Sequence, residues 1–153
     1  MATVRQSFGE TSDMRKVAGI LRAKASRWVR GIVLEGDRRI RLRTPVRSGR
    51  ARGNWNISVG APDWHADPER KNKGVAQAGA VPKEIGEGPT PIFVCNGLPY
   101  IGRLEFGWSK QAPQGMVRLT VKELRLLAAR IATKIRGESP EAGGEVGVEG
   151  VTG

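Results

Sequence analysis

Apolar residues near the start of the chain recur at helical spacing. A stripe at intervals of three or four residues runs through Met14, Val17, Leu21, Ala25, Trp28 and Ile32. This spacing places all six on one face of an α-helix. Ser12 or Asp13 can accept the free amide hydrogens of the first turn, so we predict that the helix begins there.

The end of this helix is less well defined by the pattern. Gly31 and Gly36 weaken the helical pattern, and the helix could bend or end near either glycine. It could equally continue to Arg43, with Ile40 and Leu42 near the core. Thr44-Pro45 is the firmer stop, because a proline disfavours helical geometry in the residue before it.

Shorter apolar patterns follow. Residues 55, 57 and 59 alternate with polar ones, the signature of a strand with one buried face. Residues 91–95 are a second strand candidate, closed by the turn pair Asn96-Gly97. Between the strands, residues 61–90 form a long polar connection, and loops of that length are usually functional or mobile.

The last periodic segment predicts a second helix. Its stripe has spacings of three and four and comprises Val117, Val121, Leu124, Ala128, Ile131 and Ile135. Gly137 stands where a helix C-terminus favours glycine. Two helices and a few strands that do not alternate as βαβ units predict an α+β fold. We expect a long N-terminal helix, a small antiparallel sheet with a long irregular loop, and a C-terminal helix packing on the sheet.

The expected organisation is one α+β domain over residues 12–136, between a flexible N-terminus (residues 1–11) and a disordered tail (residues 137–153). The chain length of 153 residues fits a single domain. The tail is acidic and rich in glycine, a composition typical of disorder.

The distribution of charge along the chain is more informative about function than the chain length. The net charge is +11, and it is unevenly placed, because 26 basic and 11 acidic side chains in residues 1–136 give +15. The tail carries four glutamates and no basic residue. A basic body favours polyanions or acidic protein surfaces without choosing between them. No membrane span or signal-peptide core is recognisable, and the single cysteine fits a reducing compartment, so we expect synthesis in the cytoplasm.

Catalytic and metal-binding patterns are weak. His65 is the only histidine, in a segment expected to be a loop, and Cys95 stands in an apolar run where a small buried hydrophobe is the better interpretation. Asp63, His65 and Asp67 are the only candidate metal ligands, without a fourth. No phosphate-binding glycine loop is present. The sequence therefore predicts no enzyme, no cofactor and no metal site.

Two constellations remain. The first is a run of seven arginines in fifteen residues: Arg38, Arg39, Arg41, Arg43, Arg47, Arg50 and Arg52. It could neutralise phosphates, or it could be the solvated face of a helix followed by a turn, and the sequence leaves both open. The second, residues 99–119, mixes aromatic residues with charges and glycine, which suits an interface or a loop that caps the core.

Two segments within these regions have sequence patterns that resemble a known protein family. The pattern T-P-V-x-[ST]-G-x-x-R-x-N-W covers residues 44–55, which we call the first motif. The second motif, residues 96–118, has the pattern N-G-L-P-Y-I-x-x-L-E-x-G-W-S-x-Q-A-P-x-G-M-V-R. Together they resemble the tail-completion family of long-tailed double-stranded DNA phages, which is related to tail-terminator and tail-to-head joining (neck) proteins. The likeness extends over residues 12–136. Arg47 is a departure, since that family usually has an acidic residue at this position.

The resemblance implies a structural protein of the virion. It implies an α+β subunit that assembles into a ring, expected to be a hexamer, at the head-proximal end of the tail. There the ring would end the tail tube and contact the head connector around the channel through which DNA passes. Such a ring arises when each subunit makes the same head-to-tail contact with the next and the rotation closes.

The resemblance also nominates residues. Those expected to define the fold or to contact a neighbouring subunit are Pro45, Gly49, Asn54, Trp55, Tyr100, Glu105, Gly107, Trp108, Gln111, Pro113 and Gly115. Those expected to contact a neighbouring ring or passing DNA are Arg47, Arg50 and Arg52. Two other functions stay open: a connector protein on the head side (a stopper or adaptor), and a small basic nucleic-acid-binding protein that depends on Arg38, Arg39, Arg41 and Arg43.

Overall fold

The computed structural model describes residues 10–72 and 85–137. In this part of the chain the elements are α1 (Glu10–Arg43), α2 (Arg50–Gly53), β1 (Asn56–Val59), β2 (Ile92–Cys95), α3 (Ile101–Glu105) and α4 (Val117–Gly137). Long helices with a small antiparallel sheet confirm the α+β class. The predicted tail, apart from Gly137, and residues 1–9 of the predicted flexible N-terminus lie outside the described residues.

Helix α1 is longer at its N-terminus than the sequence predicted. It includes Ser12 and Asp13, so neither caps it at its start, and it runs without interruption through Gly31 and Gly36 to Arg43. Both glycines lie against α4, where a Cβ on Gly31 would be 3.0 Å from Ile131. Small residues at these positions therefore let the two helices approach closely.

Helices α1 and α4 pack antiparallel along one seam. Gly36 faces Leu124, and farther along the seam the Trp28 indole N–H donates to the Ala128 carbonyl over 3.0 Å. The last turn of α4 reaches only as far as Lys24–Trp28 of α1. The expected packing of the C-terminal helix on the sheet is therefore only partly right, since the main partner of α4 is α1. Its first turn touches the core near the sheet through Val117.

The sheet consists of two short antiparallel strands in the described residues. Asn56 pairs with Cys95 and Val59 with Ile92. The side chains of β1 are all half-buried, so the predicted alternation of buried and exposed positions is not seen within the strand. Asn96-Gly97 does not close a hairpin, because β2 pairs back across residues 60–91. A two-stranded sheet depends on packing against other elements.

The core lies where the end of α1, the sheet and the second motif meet. Ile40, Trp55, Ala112 and Met116 form its buried cluster, with Val94, Ile101, Leu104 and Val117 packed around them. Met116 is fully buried. Both motifs thus contribute to one core, which fixes their relative positions.

Candidate functional site

The two motifs lie side by side. The backbone N–H of Val46 in the first motif donates to Oε1 of Gln111 in the second over 2.9 Å. Between them is a cleft of about 530 Å³, lined by residues 45–51 on one side and by Tyr100, Leu104, Ser109 and Gln111 on the other. We call it the inter-motif cleft.

A buried arginine joins helix α1 to the first motif. Arg41 is 2% exposed, and its Nε donates to the Asp37 carboxylate over 2.7 Å. Its Nη atoms donate to the carbonyls of Arg52 (3.1 Å) and Trp55 (2.7 Å). Burial raises the pKa of Asp37, while the hydrogen bond and charge of Arg41 oppose the rise. Arg41 therefore ties three segments together and is not available for DNA.

Two residues nominated in the first motif organise the surrounding chain. The side-chain amide of the fully buried Asn54 donates to the Arg50 and Asp67 carbonyls over 2.9 Å each and accepts the Asp67 N–H over 2.7 Å. The indole N–H of Trp55 donates to the Thr44 hydroxyl over 2.9 Å. Asn54 holds the loop after β1 in place, and Trp55 anchors the end of α1.

Glu105 caps helix α4 from a distant position in the chain. Its carboxylate accepts the N–H groups of Met116 (2.8 Å), Val117 (2.9 Å) and Arg118 (2.9 Å). Burial alone would raise the pKa of Glu105, but these donors and the Arg118 guanidinium outweigh it and lower the pKa. The carboxylate satisfies amides that the first turn of a helix leaves without partners.

Glycine is required at two positions of the second motif. Gly107 and Gly115 have φ values of +87° and +86°, which L-residues rarely adopt. A Cβ on Gly115 would also lie 2.5 Å from the Glu105 carbonyl oxygen, and one on Gly107 would lie 2.6 Å from that of Pro113. Gly49 of the first motif, with φ +85°, is restricted in the same way by the backbone of Asn72.

Two aromatic residues of the second motif stand out from the surface. Phe106 and Trp108 are 71% and 74% exposed, and the guanidinium groups of Arg118 and Arg103 lie over their rings at 4.9 and 5.0 Å. Pro113 is exposed nearby. Exposed aromatic rings held by cations are suited to anchoring a protein contact.

The arginine run divides into two kinds. Arg39 and Arg43 bind the Glu123 carboxylate of α4 at 2.5 and 2.7 Å, and Arg39 also binds Glu35. Arg52 donates to the carbonyls of Leu42 and Thr44 at the end of α1. Arg38 is exposed, with Glu35 at 3.6 Å. Most of the run therefore serves the fold.

Arg47 and Arg50 are different, because both line the inter-motif cleft. Arg47 is exposed. The Nε atom of Arg50 is buried and has no hydrogen-bond partner among the described residues. Of the three arginines nominated for external contacts, these two keep that possibility, whereas Arg52 supports the fold.

Some organising residues escaped sequence reasoning. Arg41 was grouped with the other arginines, although the i,i+4 spacing from Asp37 is a signal for an ion pair on a helix. Asn96, assigned to a turn, instead donates to the Ala51 carbonyl over 2.9 Å and so joins β2 to α2. No local pattern reveals that contact, since it links residues 45 positions apart.

The residues considered as catalytic or metal candidates have the following contacts in the part of the chain that the structure describes. Asp63 Oδ1 accepts the His65 N–H over 2.9 Å, a bond that shapes the loop. No group of three potential ligands is found there. Cys95 is buried, and burial raises the pKa of its thiol. In the described part of the chain, no helix is long and apolar enough to cross a bilayer.

The N-terminal part of α1 extends beyond α4. Residues 10–23, which we call the overhang, are 14 residues long and so project about 21 Å. Met14, Val17 and Leu21 are 67%, 51% and 62% exposed there. They continue the stripe whose later members Ala25 and Trp28 lie beside α4. The overhang thus presents an apolar face that α4 is too short to cover.

In comparisons with known proteins, no family model, no curated protein and no solved structure matches the chain.

Proposed function

We propose that this chain is a structural subunit of a ring at the head-proximal end of a phage tail, where it ends the tail tube and joins it to the head connector. The observation that carries the proposal is the exposed apolar stripe of the overhang. An apolar helix face of this kind on an isolated subunit is typical of a protein that assembles with others. The resemblance of the two motifs to tail-completion proteins is the reason for assigning the proposed ring to a phage tail.

The partner proposed for the overhang is a second copy of the chain. The stripe lies on the line of the α1–α4 seam, so a helix from a neighbouring subunit can continue the packing where α4 ends. Repetition of that contact by a closed rotation gives a ring, for which we propose six subunits. The two-stranded sheet and the exposed Phe106 and Trp108 offer further surface for the tail tube protein or the connector.

The contacts of the arginine run favour this proposal over the nucleic-acid-binding alternative. Arg39, Arg41 and Arg43 are all bonded within the subunit. A phosphate would have to compete with carboxylates already in place. In the proposed ring, DNA passes through the channel and is contacted without regard to its sequence.

The test is assembly and its consequence in the particle. The purified chain is weighed by native mass spectrometry, alone and with tail tubes, and imaged on tube ends. We expect a closed oligomer bound at one end of the tube, and tails of irregular length or without heads in particles that lack the protein. Rings bound to the portal side would instead identify a head-side connector. A monomer that binds DNA tightly and ignores tubes would refute the proposal.

A further inference from the structure

The inter-motif cleft has the composition of an anion-binding site. Its lining contains two arginines, the hydroxyls of Ser48 and Ser109, and the amide of Gln111, but no aspartate or glutamate. Ala51 and Leu104 give it an apolar floor. A basic cleft without an acidic residue leaves room for a negatively charged ligand.

Arg50 is the central observation. Its Nε is buried without a hydrogen-bond partner among the described residues. A buried donor left unpaired is costly, and the guanidinium is well matched in shape to a carboxylate, which it can bind through two parallel hydrogen bonds. Arg47 stands at the exposed side of the same cleft. A carboxylate bound in the cleft would supply an acceptor of matching charge to this guanidinium.

The shape favours a peptide over a nucleic acid. A volume of about 530 Å³ admits a few side chains of an extended segment. A DNA backbone calls for cations spread along a surface, and the neighbouring Arg39 and Arg43 are occupied by Glu123. The recessed cleft, with its apolar floor, suits glutamate side chains.

The chain itself contains such a segment. Residues 138–153 have four glutamates, at positions 138, 141, 145 and 149, and no lysine or arginine. They follow Gly137, at the opposite end of α4 from the cleft. Helix α4 has 21 residues and is about 30 Å long, so a segment returning along it would use about nine residues and bring only Glu149 to the cleft of its own chain. A neighbouring subunit can present more of the glutamates.

We infer that the inter-motif cleft binds the glutamate-rich segment 138–153 of a second copy of this chain, with Arg47 and Arg50 as the carboxylate-binding residues. The exchange between copies rests on the proposed ring, and it gives each subunit a charged link to the next in addition to the apolar contact of the overhang.

The first experiment measures binding in the full-length chain. The receptor carries E138Q, E141Q, E145Q and E149Q, so that its own segment does not compete, and the probe is a fluorescent peptide of residues 137–153. We expect at least about tenfold weaker binding when R47E and R50E are added to the receptor, and the same loss for a peptide with four glutamines. R125E with R130E, exposed arginines on α4, makes an equal charge change and should leave most of the affinity.

The second experiment tests exchange by reversing the charges. One variant carries R47E and R50E; the other carries lysine in place of the four glutamates. Each alone should associate less than the natural chain, and a mixture should form hetero-oligomers detectable by native mass spectrometry. Circular dichroism checks that each variant is folded.

Three outcomes would overturn the inference: no binding of the peptide, binding that ignores R47E and R50E, or a mixture that does not associate. Displacement of the peptide from the cleft by a single-stranded oligonucleotide at equal concentration would also overturn it, in favour of nucleic acid. A chain that forms rings unaffected by these changes would leave the proposed function intact. A chain that never assembles would end the proposed function, while the peptide measurement still reports on the cleft.

Discussion

Glu105 is a single residue that decides where a helix begins. Its side chain reaches the first amides of α4 from a position eleven to thirteen residues earlier, and Arg118 holds it from the other side through a 3.2 Å ion pair. Gly115 makes the approach possible, because any Cβ there would meet the Glu105 carboxylate. The hydrogen bonds of an N-cap are thus supplied to α4 by a residue of the neighbouring helix α3.

The substitution Glu105→Gln tests this role through its pH dependence. The folded-state pKa of Glu105 is lowered, so its contribution to stability is present above the unfolded value of about 4.3 and is lost as pH falls through the folded pKa. At pH 7 we expect the variant to be less stable by about 1–2 kcal/mol, as for other lost caps. Urea unfolding at pH 7 and pH 3 should show the difference shrinking in acid.

Glu69→Gln is the matched control. Glu69 is exposed, and its carboxylate lies 3.5 Å from the Lys71 ammonium, so its replacement should change stability little at either pH. A difference between the natural chain and Glu105→Gln that stays constant from pH 7 to pH 3 would contradict the capping role.

At the scale of elements, the end of α1 depends on its buried arginine. Arg41 donates to Oδ2 of Asp37 and to two carbonyls, and Thr44 then closes the helix by donating its hydroxyl to the Ile40 carbonyl over 2.7 Å. Other arginines of the run contribute from the surface. Arg41 is therefore the buried ionic link between α1 and the first motif, beside the contacts of Arg52 and Trp55.

We expect Arg41→Ala to destabilise the protein by about 3–5 kcal/mol, because it leaves the Asp37 carboxylate buried without its partner. Arg38→Ala removes the same charge from an exposed position and should cost less than about 0.5 kcal/mol. Chemical denaturation measures both. The pair Asp37→Asn with Arg41→Met should recover part of the loss, and equal effects of Arg41→Ala and Arg38→Ala would refute this account.

At the scale of the whole molecule, substitutions in the overhang test the proposed assembly without disturbing the fold of the subunit. Met14, Val17 and Leu21 are exposed in the subunit, so replacing them with glutamine should leave the melting temperature of the monomer nearly unchanged. The same triple variant should lose the proposed oligomer, because it removes the apolar face that we propose another copy covers. Sedimentation or native mass spectrometry gives the mass.

A single change, Leu126→Gln, is the control for a general effect of surface hydrophobicity. Leu126 on α4 is 68% exposed but lies away from the overhang. It should leave the oligomer intact. Oligomers that persist in the triple variant would show that subunits meet through another surface.

The sequence by itself determined the helices that follow a regular apolar period. The apolar period of α4 and the position of Gly137 predicted this helix and its end, and in the structure the helix ends at Gly137. Pro45 likewise predicted the end of α1, which lies at Arg43, two residues before the proline. These features are local, because hydrophobic spacing and backbone restriction act over a few residues. The α+β class followed from the order of the elements.

Only the tertiary structure decided what the special residues do. Gly31 and Gly36 resemble helix breakers until α4 is placed against them, and seven similar arginines divide into bonded ones and those of the cleft only when Glu123 and Asp37 are in position. Glu105 becomes a cap only beside the start of α4. Each role depends on a partner distant in sequence, and the packing of the core brings that partner within hydrogen-bond distance.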